Sequence, residues 1–276
     1  MSRYKLGVIG HGYVGESQSF AFSPSFVVKV YDKDSSKSTH NLDEVLDSDF
    51  VFVCVPTPMK KDGSQDLSFI ENFFKTAKDG PVYIIKSTVI PGTTNLLINK
   101  FKNLKIIFSP EFLTERTAKL DILTQTRIIL GGNKKLTNQV RKIYDIRFKN
   151  KTVIETDSLT AEYIKYMNNT FFASKVSIMN EFYRLANHLG VDWEAALYGF
   201  VSDQRIGDSH LNVPGPDGKL GFGGTCFPKD INAFISFAKE HNINMNVLEA
   251  AWKTNLEVRP EKDWENLKGR AVSDEE

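Results

Sequence analysis

Hydrophobic positions in the first half of the chain fall in short runs separated by amphipathic stretches. The runs are Tyr4 to Ile9, Phe26 to Tyr31, Asp49 to Val55, Val82 to Lys86, Leu104 to Phe108, Arg127 to Leu130 and Thr152 to Glu155. Their length and their content of β-branched and aromatic residues predict strands. Asp49 to Val55 is almost unbroken, the mark of a strand buried on both faces of a parallel sheet. Between the runs, Glu16 to Phe22, Leu42 to Leu46, Leu67 to Lys78, Thr93 to Phe101 and Lys134 to Ile146 carry apolar residues at helical spacing. Strands alternating with helices predict an α/β, doubly wound parallel sheet covered on both sides. Ligands of such sheets sit beyond the carboxyl ends of the strands.

The pattern changes after Thr156-Asp157-Ser158. Leu159 to Leu189 contains neither proline nor glycine, and keeps an apolar stripe of Ile164, Met167, Phe171, Ile178, Phe182 and Leu185. It predicts one helix of about 45 Å, ended by Gly190. That much apolar surface exceeds what one small helical domain covers, so a homodimer packed through this helix is expected. Trp193 to Phe200 is a short helix, and a long polar loop runs from Asp203 to Leu220. A loop of that length inside a compact domain points to function. Pro228 marks a further helix start, and Val247 to Val258 is the last helical stretch. Arg259 to Glu276 is charged and poor in apolar residues, so a loosely held tail is expected. The division is thus 1–156 (dinucleotide-type sheet domain), 157–258 (all-α domain on the long helix) and 259–276 (polar tail).

Charge changes this picture by what it removes. With 35 basic and 34 acidic residues the formal net charge is +1, which gives no footing for a nucleic-acid partner. No run is long enough to span a membrane, and the amino terminus leads into a strand without a signal-peptide pattern. The two cysteines stand in unlike contexts and do not suggest a disulfide framework. A protein of a reducing compartment, the cytoplasm, is expected. No Cys/His group has metal-ligand spacing, so no metal site is expected.

Two stretches carry chemistry. Gly10-His11-Gly12-Tyr13-Val14-Gly15 lies between the first strand and the first helix, where a dinucleotide fingerprint belongs. Gly10 makes the tight turn, Gly12 admits a pyrophosphate and Gly15 lets helix and strand pack closely, a Rossmann-type arrangement. Asp32 ends the second strand at the place of a ribose-binding acid, which favours NAD; Lys33 and Lys37 nearby suit a 2′-phosphate. The second stretch is Gly221-Phe222-Gly223-Gly224-Thr225-Cys226-Phe227-Pro228-Lys229-Asp230. It delivers a cysteine to the start of a helix beside a lysine, and both features favour the thiolate. Cys54, inside an apolar run, reads as core.

Other polar residues stand at strand ends, in Val55-Pro56-Thr57-Pro58, Lys86-Ser87-Thr88 and Ser109-Pro110-Glu111-Phe112-Leu113-Thr114-Glu115. Ser109 and Pro110 read as the cap and first residue of a helix, placing Glu111 and Glu115 on one face. Lys165 and Asn169 are four apart on the long helix and share a face among apolar flanks.

These motifs, in this order, resemble the UDP-glucose/GDP-mannose dehydrogenase family, most of all its UDP-glucose-oxidising branch. Ala161-Glu162-Tyr163-Ile164-Lys165-Tyr166-Met167-Asn168-Asn169-Thr170 and the cysteine stretch are the most specific matches. The resemblance extends to about Glu257. It implies an enzyme that oxidises UDP-glucose to UDP-glucuronate in two hydride transfers to NAD. Cys226 matches the nucleophile that passes through a thiohemiacetal and a thioester. Lys165 and Asn169 match the oxyanion donors, and Asp230 an acid that helps activate water. Glu115 matches a candidate base near the nicotinamide, and Thr88 a residue holding a catalytic water. Cofactor contacts are implied for Gly10, Gly12, Tyr13, Val14, Gly15, Asp32, Lys37, Pro56, Thr57, Thr88, Glu115 and Lys229. Substrate contacts are implied for Glu111, Phe112, Leu113, Lys165, Asn169, Arg205, His210, Phe222 and Gly223.

The sequence departs from the family in two places. The usual third, nucleotide-fold domain has no counterpart, so a short form is expected whose grip on the base and diphosphate differs. The excursion between Asp32 and Asp49 is reduced to about one helix, Leu42 to Leu46. Three alternatives follow. The substrate is GDP-mannose or a UDP-N-acetylhexosamine; or the chain is a non-catalytic NAD-binding partner of a fuller homologue; or it is a two-electron dehydrogenase of the 6-phosphogluconate or 3-hydroxyacid type. The last would have no use for Cys226.

Overall fold

The computed structural model describes residues 4–274. They divide into two compact units. The first comprises the chain up to Thr57 together with Leu67–Lys165; the second comprises Pro58–Asp66 together with the chain from Tyr166 onward.

The first unit is a sheet with helices on both faces. Its strands are β1 (Lys5–Ile9), β2 (Val27–Tyr31), β3 (Phe50–Val53), β4 (Val82–Ile85), β5 (Lys105–Phe108), β6 (Arg127–Gly131) and β7 (Thr152–Thr156). The helices between them are α1 (Tyr13–Phe22), α2 (Leu42–Leu46), α3 (Ser68–Thr76), α4 (Thr93–Lys100), α5 (Ala118–Thr124) and α6 (Lys134–Arg147). The strand order is β2-β1-β3-β4-β5-β6-β7. Each predicted strand and helix so far named is present within one to three residues of its expected ends.

Alternate residues of the central strands feed two cores. Phe52 and Ile84 join Phe22, Tyr144 and Phe148 on one face, while Val53, Tyr83 and Ile85 join Phe74 and Leu97 on the other. Phe22 is the hub of the first, with the rings of Phe52, Tyr144 and Phe148 at 5.0–5.5 Å. Burying side chains of this size stabilises by about 1.5–3 kcal/mol each. The shortened excursion after β2 is the single helix α2, closed by a capping box between Asn41 and Glu44.

The sheet corrects the expectation of uniform parallel pairing. Strands β1 to β5 are parallel, but β5 meets β6 antiparallel, through one pair at their last residues, Phe108 and Gly131. A reversal needs no long crossover, and Ser109 to Thr126 carries only the seven-residue α5, which packs against α1.

The second unit is helical. It holds most of α7 (Ser158–Leu189), with α8 (Trp193–Val201), α9 (Phe227–Glu240) and α10 (Asn246–Val258). Helix α7 departs from an ordinary amphipathic helix: polar residues share its buried face with Ala161, Tyr166, Ala173, Met179 and Ala186, and large apolar side chains stand on its exposed face. Glu162, Lys165, Asn169, Thr170, Ser174, Ser177 and Asn180 are buried, whereas Met167, Phe171, Ile178, Phe182, Leu185 and Leu189 are 46–66% exposed. The buried polar groups are satisfied: Ser177 Oγ donates to the Ala251 carbonyl at 2.7 Å, and Asn180 Oδ1 accepts from the Gly221 amide at 3.0 Å.

The expected loose tail is instead folded. Arg259 (3% exposed), Trp264 (1%) and Ala271 (1%) are buried, and Trp264 lies 5.2 Å from Trp252 of α10. The Met59 amide donates to the Ala271 carbonyl at 2.9 Å, and the Ser273 amide to the Met59 carbonyl at 2.8 Å. A few well-spaced anchors with distant partners hold this segment, which no local periodicity reveals.

Candidate active site

The glycine turn after β1 has the geometry its spacing requires. Gly10 has φ +82°, and a Cβ at Gly15 would lie 1.8 Å from the Gly10 carbonyl, so α1 sits against the turn with no room for a side chain. A Cβ at Gly12 would meet nothing within 4 Å. That open backbone at the start of α1, where Tyr13 and Val14 form the first turn, fits a pyrophosphate. Asp32 stands beside it, accepting from the His11 amide at 2.5 Å and from the Asp34 amide at 2.8 Å. A carboxylate has lone pairs beyond these two bonds for a ribose hydroxyl. Lys37 is exposed on a short 3-10 turn, 3.6 Å from Asp34.

The carboxyl ends of β3 and β4 are laced together next to this turn. Thr57 Oγ1 donates to the Thr88 carbonyl at 2.7 Å, and Ser87 Oγ to the Val55 carbonyl at 2.6 Å. Thr57 and Thr88 are buried and Pro56 is exposed.

A buried charge cluster follows β5. Lys165 Nζ donates to Glu111 Oε1 at 3.0 Å and to the Glu111 carbonyl at 2.6 Å; both side chains are at most 5% exposed. The Phe112 ring lies 5.4 Å from the same ammonium. Lys86, at the end of β4, donates to the Pro110 carbonyl at 3.0 Å and to Ser109 Oγ at 3.3 Å. Burial pushes the Lys86 ammonium down to about 8. Burial likewise pushes the Cys54 thiol up to about 12, in keeping with a core cysteine.

This cluster overturns one expectation. Ser109 and Pro110 do not open a helix: residues 109–114 belong to neither helix nor strand, and α5 starts only at Ala118. The two lysines take the Pro110 and Glu111 carbonyls, which a helix would direct to its own amides, and Glu111 Oε2 accepts from the Leu113 amide at 2.6 Å. Glu111 is therefore buried and Glu115 exposed, and they do not share a helical face. Lys86, quoted in its motif but given no role of its own from the sequence, belongs to this buried cluster. A lysine ending a strand that is otherwise wholly apolar was its signal.

In the second unit Cys226 is the residue at which α9 begins, with Phe227 first and Pro228 second in the helix. Its carbonyl accepts from the Asp230 amide at 2.9 Å, and Thr225 Oγ1 lies 3.7 Å from its sulfur. Asp230, 1% exposed, accepts from Asn169 Nδ2 at 2.6 Å and pairs with Lys229. The sequence motif residues Asn169, Lys229 and Asp230 thus form one buried group. His210 stacks on Phe172 at 4.1 Å and tilts against Phe227 at 5.5 Å. Burial, then the nearby Lys175, lowers its pKa, so the ring is neutral at pH 7. Phe222 is buried against Phe227. Arg205 is not gathered with these residues: its guanidinium is exposed and paired with Asp203 at 2.6 Å. Among the described residues, no three His, Cys, Asp or Glu side chains converge as metal ligands.

A model of the NAD binding domain of the UDP-glucose/GDP-mannose dehydrogenase family matches residues 24–147, and a model of that family's central domain matches residues 159–257. The chain belongs to the UDP-glucose/GDP-mannose dehydrogenase family. Its cofactor is NAD. Among relatives, the UDP-glucose 6-dehydrogenase of Rickettsia bellii (strain RML369-C) is 37% identical over 225 residues, covering 78% of this chain and 51% of that protein. The chain thus spans about half the length of the curated relatives it matches. A UDP-glucose dehydrogenase structure from the hyperthermophilic archaeon Pyrobaculum islandicum is similar with a TM-score of 0.82 at 27% identity, over 97% of this chain and 72% of that one. A UDP-D-ManNAc dehydrogenase structure from Pyrococcus horikoshii follows at 0.79 and 26%, over 92% and 68%.

Proposed function

We propose that this chain oxidises UDP-glucose at C6 to UDP-glucuronate, in two steps that each pass a hydride to NAD. The observation that supports this most is the Cys226 turn, with the buried Asn169–Asp230–Lys229 group one helical turn beyond it. A plain alcohol dehydrogenase has no need of a thiol so placed. NAD, held by Gly10, Gly12, Gly15 and Asp32, supplies the hydride acceptor when bound.

The remaining chemistry belongs to the chain. Glu115 takes the proton of the C6 hydroxyl as the alcohol becomes an aldehyde, with Thr88 holding the water that carries it away. Cys226 Sγ then adds to the aldehyde carbon, giving a thiohemiacetal that becomes a thioester as the second hydride leaves. Lys165 has used two of its three donors on Glu111, and Asn169 one of its two on Asp230. The remaining N–H groups stabilise the developing oxyanion. Asp230, oriented by Asn169 and Lys229, accepts a proton from the water that splits the thioester and frees the thiol. His210, Phe222 and Gly223 contact the sugar nucleotide, and Arg205 does so once released from Asp203.

Two further assignments go with this reading. The apolar stripe of α7 continues into a groove of about 280 Å³ against α8, lined by Phe182, Leu185, Leu189, Trp193, Leu197 and Phe200. A second copy of the chain covers it, making a homodimer. The working compartment is the cytoplasm, where a catalytic thiol stays reduced.

Counting NADH formed per sugar nucleotide consumed tests the function. Two per UDP-glucose is expected. Two per UDP-N-acetylmannosamine but none with UDP-glucose would move the substrate to that of the Pyrococcus relative. NAD binding without turnover on any sugar nucleotide would leave a non-catalytic subunit. Cys226→Ala is expected to abolish acid formation with the NAD dissociation constant within about twofold of the parent.

A further inference from the structure

We infer that Arg259 and Asp263 are positioning residues that set where the Cys226 thiol stands. The inference rests on the reading of Cys226 as the nucleophile. The run Leu220 to Gly224 leads into Cys226, and three of its five residues are glycines with no side chain to pack. Its main chain is gripped at successive positions from outside. Arg259 Nη1 donates to the Leu220 carbonyl at 3.2 Å. The Gly221 amide donates to Asn180 Oδ1 at 3.0 Å. Asn255 brackets Phe222, accepting from its amide at 2.7 Å and donating to its carbonyl at 3.0 Å. The Gly224 amide, two residues before Cys226, donates to Asp263 Oδ2 at 3.1 Å.

Arg259 ties these grips together. It is 3% exposed, and besides Leu220 it holds Asp263 Oδ1 at 2.5 Å and Asp217 Oδ2 at 2.7 Å. One guanidinium therefore joins the long polar loop, the glycine run and the segment after α10. A planar fork with donors in several directions does this; an ammonium on a flexible stem does not. The glycine run is pressed against the ion pair: a Cβ at Gly223 would lie 2.4 Å from Asp263 Oδ1 and 2.6 Å from Arg259 Nε. Glycine at 223 is what allows the run to lie on the ion pair of the buried Arg259 with the half-buried Asp263, and the pair in turn removes the freedom that glycine would otherwise give the chain.

The test reads the thiol without requiring turnover. The parent, Arg259→Lys, Arg259→Met and Asp263→Asn proteins are alkylated with iodoacetamide across pH, and the labelled cysteine is identified by peptide mass spectrometry. Cys54 is the internal control, because its thiol, pushed up to about 12 in the folded first unit, stays protonated and unreactive unless that unit opens. Circular dichroism monitors the helices of both units, and the fluorescence of Trp193, Trp252 and Trp264, which all lie in the second unit, monitors that unit. In Arg259→Met the rate of Cys226 labelling is expected to change at least threefold and its pH midpoint to move by at least about half a unit, with Cys54 unlabelled and helicity kept. Arg259→Lys should recover less than half of either change. Asp263→Asn, which keeps an acceptor for the Gly224 amide but loses the charge pair, should show an intermediate shift. If Arg259→Met unfolds, Arg259→Lys and Asp263→Asn decide in its place. Labelling profiles in folded variants that superimpose on the parent would overturn the inference. A shifted profile in a protein whose parent oxidises no sugar nucleotide would support the positioning role and overturn the function proposed for the thiol.

Discussion

Lys86 and Cys54 give opposite pH dependences to the stability of the first unit, and each masks the other. Lys86 is buried at the end of β4, where its ammonium falls from an ordinary 10.5 to about 8. Between those values the unfolded chain holds a proton that the folded chain has lost. The unfolded state then binds more protons, so stability rises with pH from about 8 to 10.5. At about 1.36 kcal/mol per unit the full span comes to roughly 3 kcal/mol. Cys54 has the reverse sign. Its thiol is pushed from 9.0 to about 12, so between those values the folded chain keeps a proton that the unfolded chain loses. Stability therefore falls as pH rises from about 9, on a span of similar size. The parent protein should gain about 1.4 kcal/mol from pH 8 to 9 and then change little up to pH 10.5, where the two slopes cancel. Lys86→Met exposes the Cys54 arm, and its stability should fall above pH 9. Cys54→Ala exposes the Lys86 arm, and its stability should rise from pH 8. Urea unfolding followed by circular dichroism at half-unit pH steps measures all three, with the fluorescence of Trp193, Trp252 and Trp264, which all lie in the second unit, as a separate monitor of that unit. Parallel curves for parent and Lys86→Met across this range would refute the reasoning, because the lysine would then have no buried-charge penalty to relieve.

Three further outcomes are expected. Lys165→Met strips the buried Glu111 carboxylate of its partner and should cost about 3–5 kcal/mol in urea unfolding at pH 7, with more than half restored by adding Glu111→Gln; a loss below about 1 kcal/mol would mean that Lys86 already neutralises Glu111. Gly15→Ala puts a methyl group 1.8 Å from the Gly10 carbonyl. It should weaken NAD binding at least about tenfold by calorimetry, and unchanged affinity would show that the turn is not the pyrophosphate site. The parent should have a dimeric mass by light scattering at micromolar concentration, while Phe182→Glu with Leu185→Glu should be monomeric; a monomeric parent would remove the second copy from the α7 stripe.

Local pattern determined a large part of this protein. Strands such as Val82–Ile85 and Phe50–Val53 are read from unbroken apolar runs, because strand burial on both faces leaves no position for a polar residue. The Gly10 turn, the helix beginning at Cys226 and the core setting of Cys54 depend on residues within one turn of each other, so spacing alone places them. What needed the folded molecule was always a partner far along the chain. Ser109-Pro110 has every local mark of a helix start, yet Lys86 and Lys165, 24 and 54 residues away from their acceptors, claim the Pro110 and Glu111 carbonyls. The stripe on α7 is visible in the sequence, but only packing decides that it stays exposed while Lys165, Asn169 and Ser177 are buried. Arg259 reads as the first residue of a polar tail until Asp217, Leu220 and Asp263 close around it. Helix and strand signals are short-range and repeat, whereas buried ionic contacts are single, long-range and non-periodic, so the first are written in spacing and the second only in three dimensions.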